Sequence, residues 1–232
     1  MKRKACAPLK KGNLKRRRTY RRLPNPNLQN KSSSVGRNQS QIITPFIKKV
    51  TMKYADIKAL TSTGFSQTLR FNANGLFDPD STGIGHQPMG FDQYMAFYQR
   101  YTVHGCKIEV SFTSFSSDTR TFVSLRPVSA TGTFLTSASP IMEQPDVTYA
   151  MIGSNVNSPS TVNLSSYMNL SKFFGEKLTE DEYEGTTSGN PPTLALWDIT
   201  AVEYSVNAIQ LDCLVELTYY VTLKEPRPLA QS

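Results

Sequence analysis

Residues 211–223 read Leu-Asp-Cys-Leu-Val-Glu-Leu-Thr-Tyr-Tyr-Val-Thr-Leu, and every odd-numbered position carries an apolar or aromatic side chain. Polar residues such as Asp212, Glu216 and Thr222 fall on even positions. Successive side chains of a β-strand point to opposite faces, so a period of two places one face in a core and the other towards solvent. This stretch therefore predicts a half-buried antiparallel strand.

A similar alternation recurs upstream and predicts seven further strands. They lie near 46–57, 65–73, 102–115, 121–125 (ended by Pro127), 147–152, 160–171 and 193–205. In the last of these the alternation slips around Trp197, which predicts a β-bulge. No long helical pattern separates any two strands, and this excludes a parallel α/β sheet because parallel strands need crossover connections.

The connections between strands select among antiparallel folds. Long segments at 74–101, 128–146 and 171–192 do not suit an up-and-down meander. They predict an all-β, single eight-stranded antiparallel jelly roll with two four-stranded sheets and long inter-strand loops. One short helix is predicted within the first long segment, packing over an end of the sandwich, because four side chains follow helical spacing: Phe91, Tyr94, Met95 and Tyr98.

Charge divides the chain into two parts. Sixteen Lys and Arg residues precede Asp56, the first acidic residue, whereas 10 basic and 18 acidic residues follow, for a net charge of +8 overall. An unopposed basic block repels itself and cannot enter a core, so it is predicted to stay disordered until a polyanion binds it. We therefore predict a disordered arm and linker over residues 1–44 and a folded domain over 45–232.

The predicted partner of the arm is nucleic acid. Each Lys or Arg that neutralises a phosphate releases a counterion, and Arg also stacks on unpaired bases. Tyr20 is the only aromatic residue in the densest basic run, where it either stacks on a base or is merely tolerated. The candidate nucleic-acid-binding residues are Lys2, Arg3, Lys4, Lys10, Lys11, Lys15, Arg16, Arg17, Arg18, Tyr20, Arg21 and Arg22.

Other features of the chain exclude several classes. No apolar run is long enough to cross a membrane, and no apolar segment follows the N-terminal charges as in a secretory signal. Cys6, Cys106 and Cys213 lack Cys-x-x-Cys spacing, so neither a disulfide framework nor a zinc site is predicted. We expect the last two to be small core residues.

The residue patterns of the chain predict neither an enzyme nor a cofactor. His86 and His104 stand in no pattern with a Ser or Cys nucleophile, and phosphate-binding and dinucleotide-binding glycine motifs are missing from the sequence. The segment Asp78-Pro-Asp-Ser-Thr-Gly83 begins like a calcium loop, but its twelfth position is Met89. We predict a turn capped by its Asp side chains, with a metal at a subunit contact as the lesser alternative.

The acidic run that includes Glu180, Asp181, Glu182 and Glu184 is predicted to be a solvated loop.

Two neighbouring segments carry a resemblance to a known family. They are Asn74-Gly-Leu-Phe-Asp-Pro-Asp-Ser-Thr-Gly-Ile-Gly-His-Gln-Pro-Met-Gly-Phe-Asp-Gln-Tyr94 and Tyr98-Gln-Arg-Tyr-Thr-Val-His-Gly-Cys-Lys-Ile-Glu-Val110. Together they resemble the capsid proteins of small circular Rep-encoding single-stranded DNA (CRESS-DNA, circovirus-like) viruses. In those proteins a loop of the pattern Asp-Pro-x-x-Thr-Gly-x-Gly-His-Gln-Pro lies between the second and third strands of a jelly roll.

The resemblance implies a T=1 icosahedral shell of sixty subunits, formed by self-assembly. Arms would face inward onto a single-stranded DNA genome, with RNA as an alternative content on heterologous expression. The implied locations are the virion and, during assembly, the host nucleus. Lys2 to Lys4 and Lys15 to Arg22 have the composition of nuclear localisation signals, so a nuclear import receptor is a further candidate partner.

Two other readings compete with a coat protein. A host nucleic-acid-binding protein with a basic tail, such as a ribosomal protein, usually spreads positive charge over its folded domain as well, and the acidic balance after residue 55 speaks against it. A jelly-roll enzyme such as a cupin needs several metal-binding His and carboxylate side chains on facing strands, and this chain has two His.

Overall fold

A computed structural model of the protein describes residues 44–114, 120–153, 160–204 and 209–228. Nine strands lie in this part of the chain: β1 Ile47–Ser62, β2 Ser66–Asn72, β3 Tyr98–Ser114, β4 Thr121–Ser129, β5 Thr148–Ile152, β6 Thr161–Asn169, β7 Glu184–Thr186, β8 Ala195–Glu203 and β9 Ile209–Pro226. Short helices are α1 Phe91–Phe97, α2 Ala138–Met142 and α3 Leu170–Phe174, with a 3-10 turn at Asp181–Tyr183.

The strands form two antiparallel sheets. One has the order β1-β9-β3-β6 with the short β7 added to β3, and the other has the order β2-β8-β4-β5. Chain connections therefore cross repeatedly between the sheets, as in a jelly roll. The predicted fold is confirmed, and its ninth strand is the three-residue β7.

Strand β9 lies between β1 and β3 and supplies much of the core. All of its odd-numbered side chains from Ile209 to Leu223 are buried. Its pairing with β1 runs unbroken from Ile47 opposite Lys224 to Ser62 opposite Ile209. The period of two over residues 211–223 thus predicted both the strand and its buried face.

The predicted bulge in 193–205 is wrong. Strand β8 pairs with β2 and with β4 without a register shift, and all nine of its residues are buried. Alternation fails because both faces are covered: Trp197 and Ile199 enter the main core, whereas Val202 packs with a second cluster around Phe122 and Ile141. A register shift occurs instead in β3, between Val103 and Gly105.

A buried ion-pair network also covers the second face of β8. Asp198 accepts hydrogen bonds from Arg70 Nε at 2.7 Å and from Arg126 Nη2 at 2.8 Å. The same two guanidinium groups donate to the carbonyls of Gly132 and Thr133. The beginning of the long 128–146 connection is therefore fastened to the sheet.

Pro127 does not end β4, contrary to the sequence prediction, because the strand continues to Ser129. Strand β5 pairs with β4 only as far as Leu125, so at Pro127 strand β4 has a neighbour on one side only. Proline is tolerated where its missing N–H faces no partner strand.

The predicted helix is confirmed as α1, where Phe91 and Met95 are buried and Tyr98 follows as the first residue of β3. Helices α2 and α3 lie in or beside the long connections, and each has only five residues, too few to leave a periodic signal. Cys106 and Cys213 are buried free thiols in β3 and β9, as expected. None of the described helices has the length and apolar character to span a membrane.

Candidate nucleic-acid interface and assembly loop

The predicted nucleic-acid-binding residues all lie outside the described residues, which begin at Thr44. Their role stays a prediction, as does the division of the chain at residue 44. The affected residues are Lys2, Arg3, Lys4, Lys10, Lys11, Lys15, Arg16, Arg17, Arg18, Tyr20, Arg21 and Arg22.

The start of the described chain is fastened to the end of the sandwich. The Tyr98 hydroxyl donates a hydrogen bond to the Pro45 carbonyl at 3.0 Å, and the Lys48 ammonium lies 4.9 Å from the centre of the Tyr94 ring. Tyr94 and Tyr98 belong to the helical stripe predicted from sequence. The stripe thus helps to hold the segment that leads into β1.

The loop that carries the resemblance, residues 74–90, is held to β1 by a charged cluster. Lys58 Nζ lies 2.7 Å from Asp80 Oδ2 and 2.9 Å from Asp56 Oδ2. The Tyr54 hydroxyl also donates to Asp56 at 3.0 Å. Because Asp80 is almost fully buried, Lys58 supplies the charge that allows its carboxylate to remain ionised there.

Asp80 also closes a turn within the loop. Its Oδ1 accepts hydrogen bonds from the backbone N–H and hydroxyl of Thr82 at 2.9 and 2.7 Å, and Gly83 follows with a φ of 76°. Burial raises the pKa of Asp80, but Lys58 and Thr82 outweigh it and hold the pKa below its usual range. The predicted cap is confirmed for Asp80, whereas Asp78 is held through its backbone by Asn190.

The oxygens of Asp80 are therefore engaged by protein groups. Among the described residues, no three His, Cys, Asp or Glu side chains group as a metal site.

His86 joins the far side of the loop to the edge of the sheet. Its Nε2 lies 3.0 Å from the Ala55 carbonyl oxygen and its Nδ1 lies 2.8 Å from that of Gln87. The ring also stacks on Tyr54, with centroids 4.5 Å apart. Strand β1 is the edge of its sheet, so His86 covers an edge carbonyl that would otherwise face outward.

Gly85 is required by the closeness of the loop to β1. A Cβ added there would lie 2.7 Å from Asp80 Cβ and 3.1 Å from the Tyr54 hydroxyl. Such distances leave no room for a side chain at residue 85, whereas residue 83 favours glycine because of its positive φ.

Tyr101 fixes the beginning of the same loop from β3. Its buried hydroxyl accepts hydrogen bonds from the backbone N–H groups of Leu76 at 3.1 Å and Phe77 at 3.4 Å. Burial raises the pKa of Tyr101 well above its usual value. The two segments that carry the resemblance are therefore in direct contact.

The acidic run is only partly a solvated loop. Asp181 is exposed, but Glu184 lies in β7 with a buried side chain and contacts both Arg100, at 3.3 Å, and Lys224. Arg100 also pairs with Asp181 at 2.6 Å and with Glu225 at 3.3 Å. The solvated-loop prediction is wrong for Glu184, because the chain returns to β3 and adds a strand there.

The remaining candidate groups are His104, Cys106 and Cys213, and the contacts of each are those of a structural residue. His104 Nε2 lies 2.7 Å from the Thr222 hydroxyl. Burial raises the pKa of the Cys106 and Cys213 thiols to about 12, which leaves them protonated near neutral pH.

Sequence reasoning missed Lys58 and Arg100 as charge partners. Lys58 shares the inward parity of Met52 and Tyr54 in β1, and a charged residue on that parity was the available signal. Arg100 gave no such signal, because its partners Asp181 and Glu184 are distant in sequence.

Comparison with known proteins gives distant structural neighbours. No family model matches the chain, and no curated protein matches it in sequence. Among solved structures it is similar to Desmodium yellow mottle tymovirus, at 14% identity over 100% of both chains with a TM-score of 0.44. The empty head of turnip yellow mosaic virus matches at 11% identity over 82% of this chain and 87% of that chain, with a TM-score of 0.44.

A third neighbour is the decameric BFDV capsid protein, at 9% identity over 77% of this chain and 99% of that chain, with a TM-score of 0.44. All three neighbours are at most 14% identical to this chain, and all three TM-scores are 0.44.

Proposed function

We propose that this chain is the coat protein of a small icosahedral virus, with a structural and not a catalytic role. One observation carries the proposal: residues 1–37 contain thirteen Lys and Arg residues and no acidic residue, and a short uncharged linker joins them to β1, the first strand of a jelly roll. The sequence from Asp56 onward has 10 basic and 18 acidic residues. The arm therefore binds nucleic acid and the jelly roll encloses it.

In a shell of many subunits the positive charges of all the arms add together, so they can neutralise a large number of genome phosphates. Residues 1–37 contain thirteen basic residues, so sixty copies would place about 780 positive charges in the interior. An extended arm and linker would reach on the order of 100 Å from the domain. Such a reach allows arms from many subunits to contact one packaged strand.

Exposed apolar side chains on the 74–90 loop support self-association. Ile84 is 82% exposed and Met89 is 91% exposed, although the loop around them is fastened to β1. A rigid loop that presents large apolar groups to solvent is a suitable contact for a second copy of the chain.

The finer proposals concern the genome and the route of assembly. Single-stranded DNA is the proposed genome, RNA is its substitute on heterologous expression, and sixty is the proposed copy number. The basic clusters Lys2 to Lys4 and Lys15 to Arg22 are proposed to direct nuclear entry through an import receptor.

Particle formation by the full-length chain tests the coat role. Protein expressed alone and imaged by electron microscopy should form closed particles of uniform size that contain nucleic acid. A chain that stays monomeric by light scattering across a wide range of salt and pH would contradict the proposal and favour a host nucleic-acid-binding protein.

Neutralising the arm tests its packaging role separately. A full-length variant with Gln at Lys15, Arg16, Arg17, Arg18, Arg21 and Arg22 should still form particles but carry less nucleic acid, as judged by the ratio of absorbance at 260 and 280 nm. An unchanged ratio would show that packaging does not depend on this cluster.

A further inference from the structure

The outward face of the sheet β1-β9-β3-β6 combines unpaired positive charge with exposed aromatic rings. We call its central part the Lys–Tyr surface, defined by Lys49, Lys53, His104, Lys107, Tyr167 and Tyr220. Lys53, His104, Lys107 and Tyr220 each stand between two buried neighbours on their strands, and Lys49 and Tyr167 share the outward parity of β1 and β6.

Strand register places the members of this surface in adjacent rows. Lys53 lies opposite Thr218, Thr218 opposite Lys107, and Lys107 opposite Tyr167, so one row crosses all four strands. In the next row Tyr220 lies between Thr51 and Gly105. Lys49 is four residues from Lys53 on the same strand, about 13 Å away.

The two tyrosine rings form an exposed pair at the centre of the surface. Tyr167 is 56% exposed and Tyr220 is 42% exposed, and their centroids lie 6.0 Å apart in an edge-to-face arrangement. A Cβ at Gly105 would lie 2.3 Å from the Tyr167 hydroxyl, so this ring lies across the glycine backbone. The pair is thereby held on the sheet with ring surface open to solvent.

Positive charge at the surface is only partly neutralised. Lys107 pairs with Glu109 at 2.8 Å, but Lys49 and Lys53 form no ion pair with any described residue. Burial first, and then the charges of Lys224 and Lys49, lower the pKa of His104. Glu109 and Glu216 lie opposite each other in the row beyond Lys107, and they mark the limit of the surface on that side.

A hollow of about 380 Å³ lies beside the tyrosine pair. Its lining includes Lys49, Thr51, His104, Tyr220 and Thr222. The hollow is open to solvent, and its lining combines a cation, hydroxyl groups and an aromatic ring. A nucleotide presents the complementary groups, because its phosphate is anionic and its base stacks on aromatic rings.

We propose that the Lys–Tyr surface is a second contact for single-stranded nucleic acid, in which phosphates contact Lys49, Lys53 and Lys107 and unpaired bases stack on Tyr167 and Tyr220. The proposal deepens the proposed function and rests on its choice of nucleic acid as partner. Position along the chain supports it as well: β1 is the first strand after the arm and linker, and it begins two residues before Lys49.

Salt-dependent binding of a labelled oligothymidine to the full-length chain tests this surface. Log affinity for single strands falls with log salt by about 0.7 for each phosphate contact, so the double variant Lys49→Gln, Lys53→Gln should reduce the slope by about 1.4. The double variant Tyr167→Leu, Tyr220→Leu should weaken binding about 25-fold or more with little change in slope, because each stacked base contributes about 1–3 kcal/mol. Lys177→Gln, at an exposed loop lysine, is the charge control, and Tyr167→Phe, Tyr220→Phe should retain affinity.

Ultraviolet cross-linking supplies a second readout. Wild-type protein should yield nucleotide adducts on the peptides that contain Tyr167 and Tyr220. No adducts there, together with unchanged slope and affinity in the variants, would overturn the proposal. Variants that bind normally but fail to form particles would also overturn it and would assign the surface to contacts between subunits.

The arm variant separates this proposal from the proposed function. If neutralising Lys15, Arg16, Arg17, Arg18, Arg21 and Arg22 removes all binding while the surface variants bind normally, nucleic-acid binding by the arm is supported. The proposal for the Lys–Tyr surface then fails. If the arm variant keeps its affinity and the surface variants lose theirs, the proposed packaging role of the arm is contradicted. Nucleic-acid binding by the Lys–Tyr surface is then supported.

Discussion

At the scale of single residues, Lys58 is the central cation of the contact between the 74–90 loop and β1. It lies within 3 Å of carboxylate oxygens from both Asp56 and Asp80. Asp80 is buried, and a buried carboxylate that loses its cation retains the full penalty of desolvation. We therefore expect Lys58 to contribute far more than a surface lysine does.

Lys58→Met should lower the free energy of unfolding by about 1–3 kcal/mol, because Asp80 loses its charge partner while apolar volume is kept. Thermal unfolding followed by fluorescence of Trp197, the only tryptophan and a core residue, measures the change. Lys177→Met, at an exposed site, should stay within about 0.5 kcal/mol of wild type. Equal effects at both positions would contradict the role of Lys58.

The same contact predicts that the stability of the protein depends on pH in the acid range. The pKa values of Asp56 and Asp80 are held below the ordinary 3.8, so their stabilising contribution is complete above that value and is lost as pH falls through the folded values. The difference in unfolding temperature between wild type and Lys58→Met should therefore shrink below about pH 4. A difference that stays constant into strong acid would show that the carboxylates are not the cause.

The lowered pKa of His104 predicts a second change in stability, at a pH nearer to neutral. Burial, followed by the charges of Lys224 and Lys49, lowers its pKa below the ordinary 6.5. As pH falls through 6.5 the unfolded chain takes up a proton before the folded chain does, so this group reduces stability with falling pH. The loss of unfolding temperature from about pH 8 to about pH 5.5 should be smaller in His104→Gln than in wild type. An identical loss in both proteins would contradict this assignment.

At the scale of elements, the 74–90 loop behaves as a fixed part of the sandwich. Gly85→Ala should lower the free energy of unfolding by about 1–3 kcal/mol, because its Cβ would lie 2.7 Å from Asp80 Cβ. Gly153→Ala is the matched control, since nothing lies within 4 Å of a Cβ there. That change should be neutral or stabilise by about 0.4–1 kcal/mol through the unfolded chain. Urea unfolding of both variants measures the contrast. Equal free energies of unfolding would mean that the loop accommodates the added methyl group at residue 85 without destabilisation.

Sequence predicted the elements whose pattern is local. Strand β9 was predictable because one face is buried and the other is exposed, whereas β8 was misread because both faces are covered by different layers. Glu184 was misread for a related reason, since its partners Arg100 and Lys224 come from distant strands. The Gly-x-Gly-His pattern was visible in the sequence, but its contacts with Tyr54 and Ala55 needed the fold.

At the scale of the whole molecule, the fixed loop and its exposed apolar side chains predict where copies of the chain meet. Ile84 and Met89 are more exposed than the other large apolar residues described. Burying one such side chain contributes about 1.5–3 kcal/mol, and a closed shell repeats each contact many times. Small changes at this loop should therefore alter assembly strongly while leaving the subunit fold intact.

The double variant Ile84→Ser, Met89→Ser should need a markedly higher protein concentration to form particles, with the unfolding temperature of the dispersed subunit unchanged. Analytical ultracentrifugation over a concentration series measures the shift. Ser81→Ala, at an exposed position of the same loop, is the control and should assemble like wild type because it removes no apolar surface. If the double variant forms particles at the wild-type concentration, the loop faces solvent in the shell, and contacts between subunits must then involve other exposed apolar residues, such as Phe65 and Tyr204.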